Sequence, residues 1–205
     1  MQTNILSTSH PGAISAALEV LATGGLVSFP TDTVYGLAAD LHNPAGIERL
    51  YEAKARSTSK AIAVLLADVD QLSLLTTGLT HSAQQLASQF WPGALTLVVP
   101  KREDLPANLS PLPTVGVRMP DHPFARALMR ISGPLATSSA NISGENNTLT
   151  AEQVFEQLDG RIELILDGGP VPGGVPSTVV DCTQDPPTIL RQGALEAKTI
   201  FAALA

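Results

Sequence analysis

Residues 26–38 read LVSFPTDTVYGLA, and this stretch decides the fold class. The apolar run Leu26–Phe29 predicts a short strand, Pro30–Thr33 a turn, and Val34–Ala38 a second short strand. An Asx-type turn built on Asp32 would explain the polar residues without any ligand. The alternative is that the hydroxyl groups of this turn bind a small polar substrate.

Outward from this stretch, strand and helix patterns follow one another without strict alternation. Further strands are predicted at residues 61–66, 95–99, 115–119, 134–137, 164–166, 178–180 and 189–190. Helices are predicted over residues 14–21, 44–54, 83–90, 121–131 and 150–158, and after residue 193. This order favours an α/β or α+β fold over a barrel, with a twisted open mixed sheet layered with helices. We expect one domain over residues 1–205, in which the Gly- and Pro-rich segment 168–176 forms a lid.

The composition is that of an acidic globular protein. Its net charge of −7 argues against a broad face for binding nucleic acid. The single Cys182 excludes an internal disulfide framework and a zinc cluster. The first residues lack a signal-peptide pattern, and the apolar stretches are too short to cross a membrane, so we expect a cytoplasmic protein.

Positive charge is scarce in this chain and yet clustered at one place. Only 12 Lys and Arg occur against 19 Asp and Glu. Lys54, Arg56 and Lys60 nevertheless fall within seven residues, which favours a site for an anion such as phosphate. Cations that stabilise a helix C-terminus are the alternative. That alternative leaves unexplained why Lys54 continues the apolar stripe of the helix before it.

Hydroxyl and amide groups cluster at a second place. Ser138-Ser139-Ala140-Asn141 follows an apolar strand, and open α/β sheets bind ligands at the carboxyl ends of their strands. Such a cluster is also common in simple turns. Arg118 lies inside an apolar strand and needs an acidic partner or a bound carboxylate, and Arg191 repeats that situation. The sequence contains no P-loop, no dinucleotide fingerprint and no nucleophile elbow.

Taken in order, these segments resemble the YrdC-like family of threonylcarbamoyl-AMP synthases. Seven segments over most of the chain match that family's patterns: Pro30–Leu37, Lys54–Arg56 with Lys60, Trp91–Thr96, Val117–Pro123, Ser139–Gly144, Ser177–Asp181 and Ile189–Gly193. Each segment is weak evidence alone, but seven in the same order are highly specific.

The resemblance implies a YrdC-like fold with a concave ligand cleft. It also implies that L-threonine, bicarbonate and ATP react to give threonylcarbamoyl-AMP and pyrophosphate. The adenylate would supply a downstream tRNA threonylcarbamoyl-transferase, and Mg²⁺ would enter with ATP, held mainly by its phosphates. No separate metal site and no covalent nucleophile are expected.

The resemblance also assigns roles to residues of this chain. The catalytic residues would be Lys54, Arg56, Ser139 and Asn141. The contacts to ATP would come from Arg56, Lys60, Thr114, Ser139, Asn147 and Arg191. The contacts to threonine would come from Thr33, Arg118, Thr137 and Ser177.

Two departures from the family pattern are visible. Leu65 stands where some relatives carry a histidine that touches threonine, and the chain has the length of the single-domain form.

Two other functions compete with the synthase. One is a YrdC-like module that binds nucleotide or RNA without the reaction. The other is a carbamoyl-transfer accessory domain, which the length and the lone Cys182 disfavour.

Overall fold

A computed structural model describes residues 1–204 of the chain. Its strands are β1 (Asn4–Ser7), β2 (Val27–Phe29), β3 (Gly36–Asp40), β4 (Ala63–Leu65), β5 (Leu95–Pro100), β6 (Thr114–Arg118), β7 (Leu135–Ser139), β8 (Leu164–Asp167), β9 (Thr178–Asp181) and β10 (Thr188–Arg191). Its α-helices are α1 (Ala13–Ala22), α2 (Pro44–Ala53), α3 (His81–Phe90), α4 (Pro123–Ser132), α5 (Ala151–Leu158) and α6 (Ala197–Ala202).

The strands pair into one sheet in the order β1-β8-β2-β3-β7-β4-β6-β5-β9-β10. Four neighbouring pairs are parallel and five are antiparallel, so the sheet is mixed and open, as the sequence predicts. The prediction missed β1, because its four residues carry little apolar pattern and depend on pairing with β8 at the sheet edge.

Side chains cap the N-termini of four helices. Asn43 accepts a hydrogen bond from the backbone N–H of Gly46, and Thr150 accepts one from that of Gln153. The helix predicted over residues 121–131 begins at Pro123, and His122 caps it by accepting through Nδ1 from the backbone N–H of Ala125 at 3.4 Å. The fourth cap is Thr80, at the start of α3.

The two faces of the sheet are buried unequally. Side chains alternate between the faces of a strand, so Leu95, Leu97 and Val99 of β5 enter the larger core together with residues of α2, α3 and α5. On the opposite face a smaller core joins α1 and α4 to β2, β3, β7, β8 and Leu65 of β4. Beyond Leu65, the strands β6, β5 and β9 contribute no residue to this second layer, which leaves that part of the face uncovered.

That uncovered face carries the cleft. Ser139 ends β7 and Arg118 ends β6, so both lie at the carboxyl ends of strands, where the sequence predicts ligand groups. Thr96 and Gly116 face the cleft from within β5 and β6, because alternate residues of neighbouring strands share one face.

Candidate functional site

A cavity of about 320 Å³ lies on the uncovered face of the sheet. Small residues form much of its floor, among them Gly36, Ala63 and Gly116. A Cβ atom added to Gly116 would lie 3.2 Å from Cγ2 of Thr96, and one added to Gly36 would lie 3.1 Å from Cγ2 of Thr137. Glycine at these two positions keeps the floor low and leaves room for a ligand.

Most of the predicted site residues converge in this cavity. The lining includes eight of them: Thr33, Arg56, Arg118, Thr137, Ser139, Asn147, Ser177 and Arg191. Three of the eight are arginines, and among the described lining residues there is no carboxylate. In a chain of net charge −7, this arrangement concentrates positive potential where an anion can enter.

Arg118 is fixed at one end of the cavity by three neighbours. Its Nη1 donates to Oγ1 of Thr33 at 2.9 Å, and its Nε donates to the carbonyl of Gly93 at 2.9 Å. Its Nη2 forms an ion pair with Oδ1 of Asp32 at 2.5 Å. Burial lowers the pKa of Arg118, and the Asp32 carboxylate opposes that shift. A guanidinium held this way keeps its charge and a fixed orientation.

Lys54 lies beneath the cavity wall, outside the lining residues, and only 1% of its surface is exposed. Its ammonium donates to the backbone carbonyls of Ser139 and Asn141. Its own carbonyl accepts from the backbone N–H of Ser143 at 2.8 Å. The geometry therefore favours Lys54 as a residue that holds the Ser139–Asn141 turn, in place of the predicted direct contact with phosphate.

The pKa of Lys54 is strongly perturbed. Burial lowers it to about 7, and the positive charge of Arg56 adds to the effect. The two carbonyl oxygens are the partners that make a lysine tolerable at this depth.

Asn141 also shapes the turn rather than the cavity lining. Its Nδ2 donates to the carbonyls of Ile142 and Glu145, each at 2.9 Å. Its Oδ1 is buried and has no hydrogen-bond partner within residues 1–204. Ser139, by contrast, is among the residues that line the cavity.

Arg56 enters the cavity because the backbone turns sharply before it. Ala55 has a φ of +48°, in the left-handed region that residues with a side chain rarely adopt. This single residue separates the buried Lys54 from Arg56, whose Nη2 donates to the carbonyl of Ala61 at 2.9 Å. Backbone strain at such a point is typical of functional sites.

Two predicted nucleotide contacts lie outside the lining. The side chain of Lys60 is exposed in the loop before β4, and Thr114 begins β6 beyond the lining residues. Thr31, in the turn whose hydroxyl groups the sequence offers as ligands, lines the cavity, and so does Thr96, to which sequence reasoning gave no role. Two features of the sequence could have identified Thr96. It is a polar residue between two leucines of β5, and it ends the segment Trp91–Thr96 that matches the family pattern.

The segment predicted to be a lid is fastened to the site. Tyr35 Oη donates to the carbonyl of Gly169 at 2.8 Å and accepts from the N–H of Gly168 at 3.2 Å. The N–H of Gly174 donates to the carbonyl of Thr33 at 2.7 Å. Pro176 then reaches the cavity lining. Segment 168–176 thus holds the backbone of the turn that carries Thr33.

Neither a metal cluster nor a spanning helix emerges from the part of the chain that is described. Within residues 1–204, no group of three or more His, Cys, Asp or Glu side chains is placed to hold a metal ion. Among the same residues, no helix has the length and apolar character that crossing a membrane requires.

The chain was compared with protein families and with known proteins. A model of the Sua5/YciO/YrdC family, described as telomere recombination, matches residues 19–193. The threonylcarbamoyl-AMP synthase of Bacillus subtilis is 45% identical over 98% of this chain, and that of Pyrococcus abyssi is 43% identical over 96%. The chain spans 59% and 58% of the length of these two relatives.

A solved structure agrees with the sequence matches. The structure of P. abyssi Sua5 complexed with L-threonine superposes with a TM-score of 0.90 at 42% identity. The match covers 94% of this chain and 57% of that one. Together with the fold and the cavity, these similarities show that the chain belongs to the Sua5/YciO/YrdC family.

Proposed function

We propose that this chain is a threonylcarbamoyl-AMP synthase, which forms L-threonylcarbamoyladenylate and pyrophosphate from L-threonine, bicarbonate and ATP. The observation that carries the proposal is the convergence of Arg56, Arg118 and Arg191 in one cavity whose described lining has no carboxylate. One guanidinium suits the carboxylate of an amino acid, and the others suit phosphates. The names of the relatives in B. subtilis and P. abyssi support the same activity.

The proposed chemistry needs positioning more than reactive side chains. The amine of threonine attacks the carbon of bicarbonate, and loss of water gives a carbamate. A carbamate oxygen attacks the α-phosphorus of ATP, the bond to the bridging oxygen breaks, and pyrophosphate leaves with the electron pair. Charge builds on the phosphoryl oxygens, so fixed cations and hydroxyl donors lower the barrier.

We assign the substrates to opposite sides of the cavity. Arg118 would bind the threonine carboxylate, with Thr33, Thr137 and Ser177 around the rest of the amino acid. Arg56, Ser139, Asn147 and Arg191 would contact the nucleotide. Lys54 would act through the turn that it holds.

Magnesium would enter with ATP, bound mainly to phosphate oxygens. The hydroxyl of Ser139 and the amide of Asn147 are neutral oxygen ligands of the kind that Mg²⁺ accepts. When bound, the ion would neutralise part of the charge on pyrophosphate. We further propose that the chain works in the cytoplasm and passes the adenylate to a tRNA threonylcarbamoyl-transferase. The net charge of −7 argues against extended contact of this chain with tRNA.

An omission assay tests the proposal. Purified protein is incubated with MgATP, bicarbonate and L-threonine, and pyrophosphate is measured with each component left out in turn. We expect release that requires all three, and a product whose mass is that of threonylcarbamoyl-AMP. Nucleotide binding without threonine-dependent release would contradict the synthase and favour the binding module instead.

A further inference from the structure

Thr96 of β5 lines the cavity but has no role in the proposal above. Its Oγ1 lies 2.7 Å from Oγ of Ser177. Both residues are buried. The two residues come together because β5 and β9 are parallel neighbours, with Leu95 paired to Thr178.

The hydrogen bonds of the neighbouring turn show what its hydroxyls can still do. Thr31 Oγ1 donates its one hydrogen to the carbonyl of Val34 at 2.6 Å. Thr31 Oγ1 also accepts from the backbone N–H groups of Thr33 at 3.2 Å and Val34 at 3.3 Å, which uses both of its lone pairs. The contact of 3.1 Å between Thr31 Oγ1 and Thr33 Oγ1 therefore does not fix the hydrogen of Thr33. Thr33 Oγ1 accepts from Nη1 of Arg118 at 2.9 Å, which holds its hydroxyl in place.

The hydroxyl of Thr137 already donates its hydrogen within the protein. Its Oγ1 donates to the carbonyl of Leu135 at 3.0 Å, which leaves only its lone pairs for the cavity. On the threonine side of the site, Thr137 thus suits an N–H or O–H group of a ligand.

The Thr96–Ser177 pair has the opposite polarity. Two hydroxyls carry two hydrogens, and the bond between them uses one. Within residues 1–204, neither hydroxyl makes another hydrogen bond. One O–H therefore remains to be donated into the cavity, whichever member of the pair carries it.

We propose that Thr96 is a positioning residue for the amino-acid side of the site: paired with Ser177, it directs one hydroxyl donor at an oxygen of the bound amino acid. The proposal rests on the proposed function and deepens it. It explains why a buried hydroxyl occurs near the start of β5, between Leu95 and Leu97. It also predicts that the two hydroxyls act as one unit.

A double-mutant cycle tests this proposal by calorimetric titration of L-threonine. Thr96→Val, Ser177→Ala and the double variant are compared with the wild type and with Thr96→Ser. Each single change is expected to raise the Kd for L-threonine about five- to tenfold, the value of one hydrogen bond. The Kd of the double variant should be no higher than that of the single variant that binds L-threonine less tightly, because either single change already breaks the hydroxyl pair. Thr96→Ser should bind like the wild type.

Two controls separate positioning from a structural role. The Kd for MgATP should stay within about twofold of the wild type, and Thr199→Val, an exposed threonine on α6, should change neither Kd. L-Valine, which lacks the side-chain hydroxyl of threonine, shows which oxygen of the ligand accepts the hydrogen bond. If its weaker binding is unaffected by Thr96→Val, the pair reads the side-chain hydroxyl; if it also drops, the pair reads the carboxylate.

Several results would overturn the proposal. An unchanged Kd for L-threonine in Thr96→Val would do so while leaving the proposed function intact, and so would losses that multiply in the double variant. An equal loss of threonine and MgATP binding would show a merely structural role. If Thr96→Val does not fold, Ser177→Ala and Thr96→Ser decide the question by the same criteria. A wild-type protein that binds no threonine would overturn the proposed function and this proposal together.

Discussion

Arg118 and Thr33 are 85 positions apart in the sequence, and Arg118 Nη1 donates to Thr33 Oγ1 at 2.9 Å. This bond joins the turn after β2 to the end of β6. The same guanidinium also holds Asp32 and the carbonyl of Gly93. A side chain fixed at three points holds its remaining N–H groups in place, which suits the recognition of a carboxylate ligand.

Arg118→Lys is expected to raise the KM for L-threonine at least about tenfold, because an ammonium cannot replace three fixed contacts and a bidentate donor. The KM for ATP should change by less than about twofold. Steady-state pyrophosphate release at varied concentrations of each substrate measures both values. Arg102→Lys serves as control, since Arg102 forms an exposed pair with Asp104. Equal effects on both substrates would contradict the assignment of Arg118 to threonine.

Arg56→Ala is expected to lower kcat/KM for ATP about a hundredfold, because a cation near the phosphates stabilises charge in the transition state. Arg191→Ala should act in the same direction. The Kd for L-threonine measured without ATP should be nearly unchanged in both variants. If Arg56→Ala weakens threonine binding and spares ATP, the two sides of the cavity have been assigned the wrong way round.

Lys54 should leave a signature in the pH dependence of stability. Its pKa is lowered to about 7 in the folded chain, while the unfolded lysine keeps its ordinary value of 10.5. Between these values the unfolded state binds more protons, so the contribution of Lys54 to the free energy of unfolding rises with pH. The slope is at most about 1.4 kcal/mol per pH unit.

Urea unfolding of the wild type and of Lys54→Met, at several values between about pH 6 and pH 10, isolates that contribution. The difference in unfolding free energy should be flat below about pH 7 and should then move in favour of the wild type. A difference that stays constant over the whole range would show that the lysine keeps its ordinary pKa.

Ala55→Gly is expected to stabilise the protein by up to about 1 kcal/mol. The left-handed conformation at Ala55 costs an alanine about 1–2 kcal/mol, and the greater freedom of glycine in the unfolded chain offsets part of the gain. Ala45→Gly is the matched control, because Ala45 is exposed within α2, where glycine costs about 1 kcal/mol. In denaturant unfolding, the free energy of unfolding should rise in Ala55→Gly and fall in Ala45→Gly. A lower value in both variants would contradict the proposed strain at Ala55.

Local pattern was enough to predict most of the sheet and much of the site. Strands such as β5 and β6 alternate between apolar and other residues, and the helix predicted from residue 44 is α2. The order of the matched segments identified Arg118, Arg56 and Ser139 as candidate site residues. The structure then places all three in one cavity.

What the sequence could not predict depends on contacts between distant residues. The burial of Lys54 under the Ser139–Asn141 turn joins positions 85 and 87 residues apart. β1 depends on β8 at the sheet edge. The position of the cleft depends on which part of the sheet α1 and α4 cover, and no local pattern reports that.

The central claim is that one cavity holds the amino acid and the nucleotide side by side. A crystal structure with L-threonine and a non-hydrolysable ATP analogue tests it most directly. We predict the threonine carboxylate within about 3 Å of Arg118 and phosphate oxygens within about 3 Å of Arg56 and Ser139. Density for either ligand outside this cavity, or for the carboxylate at Arg56, would contradict the account.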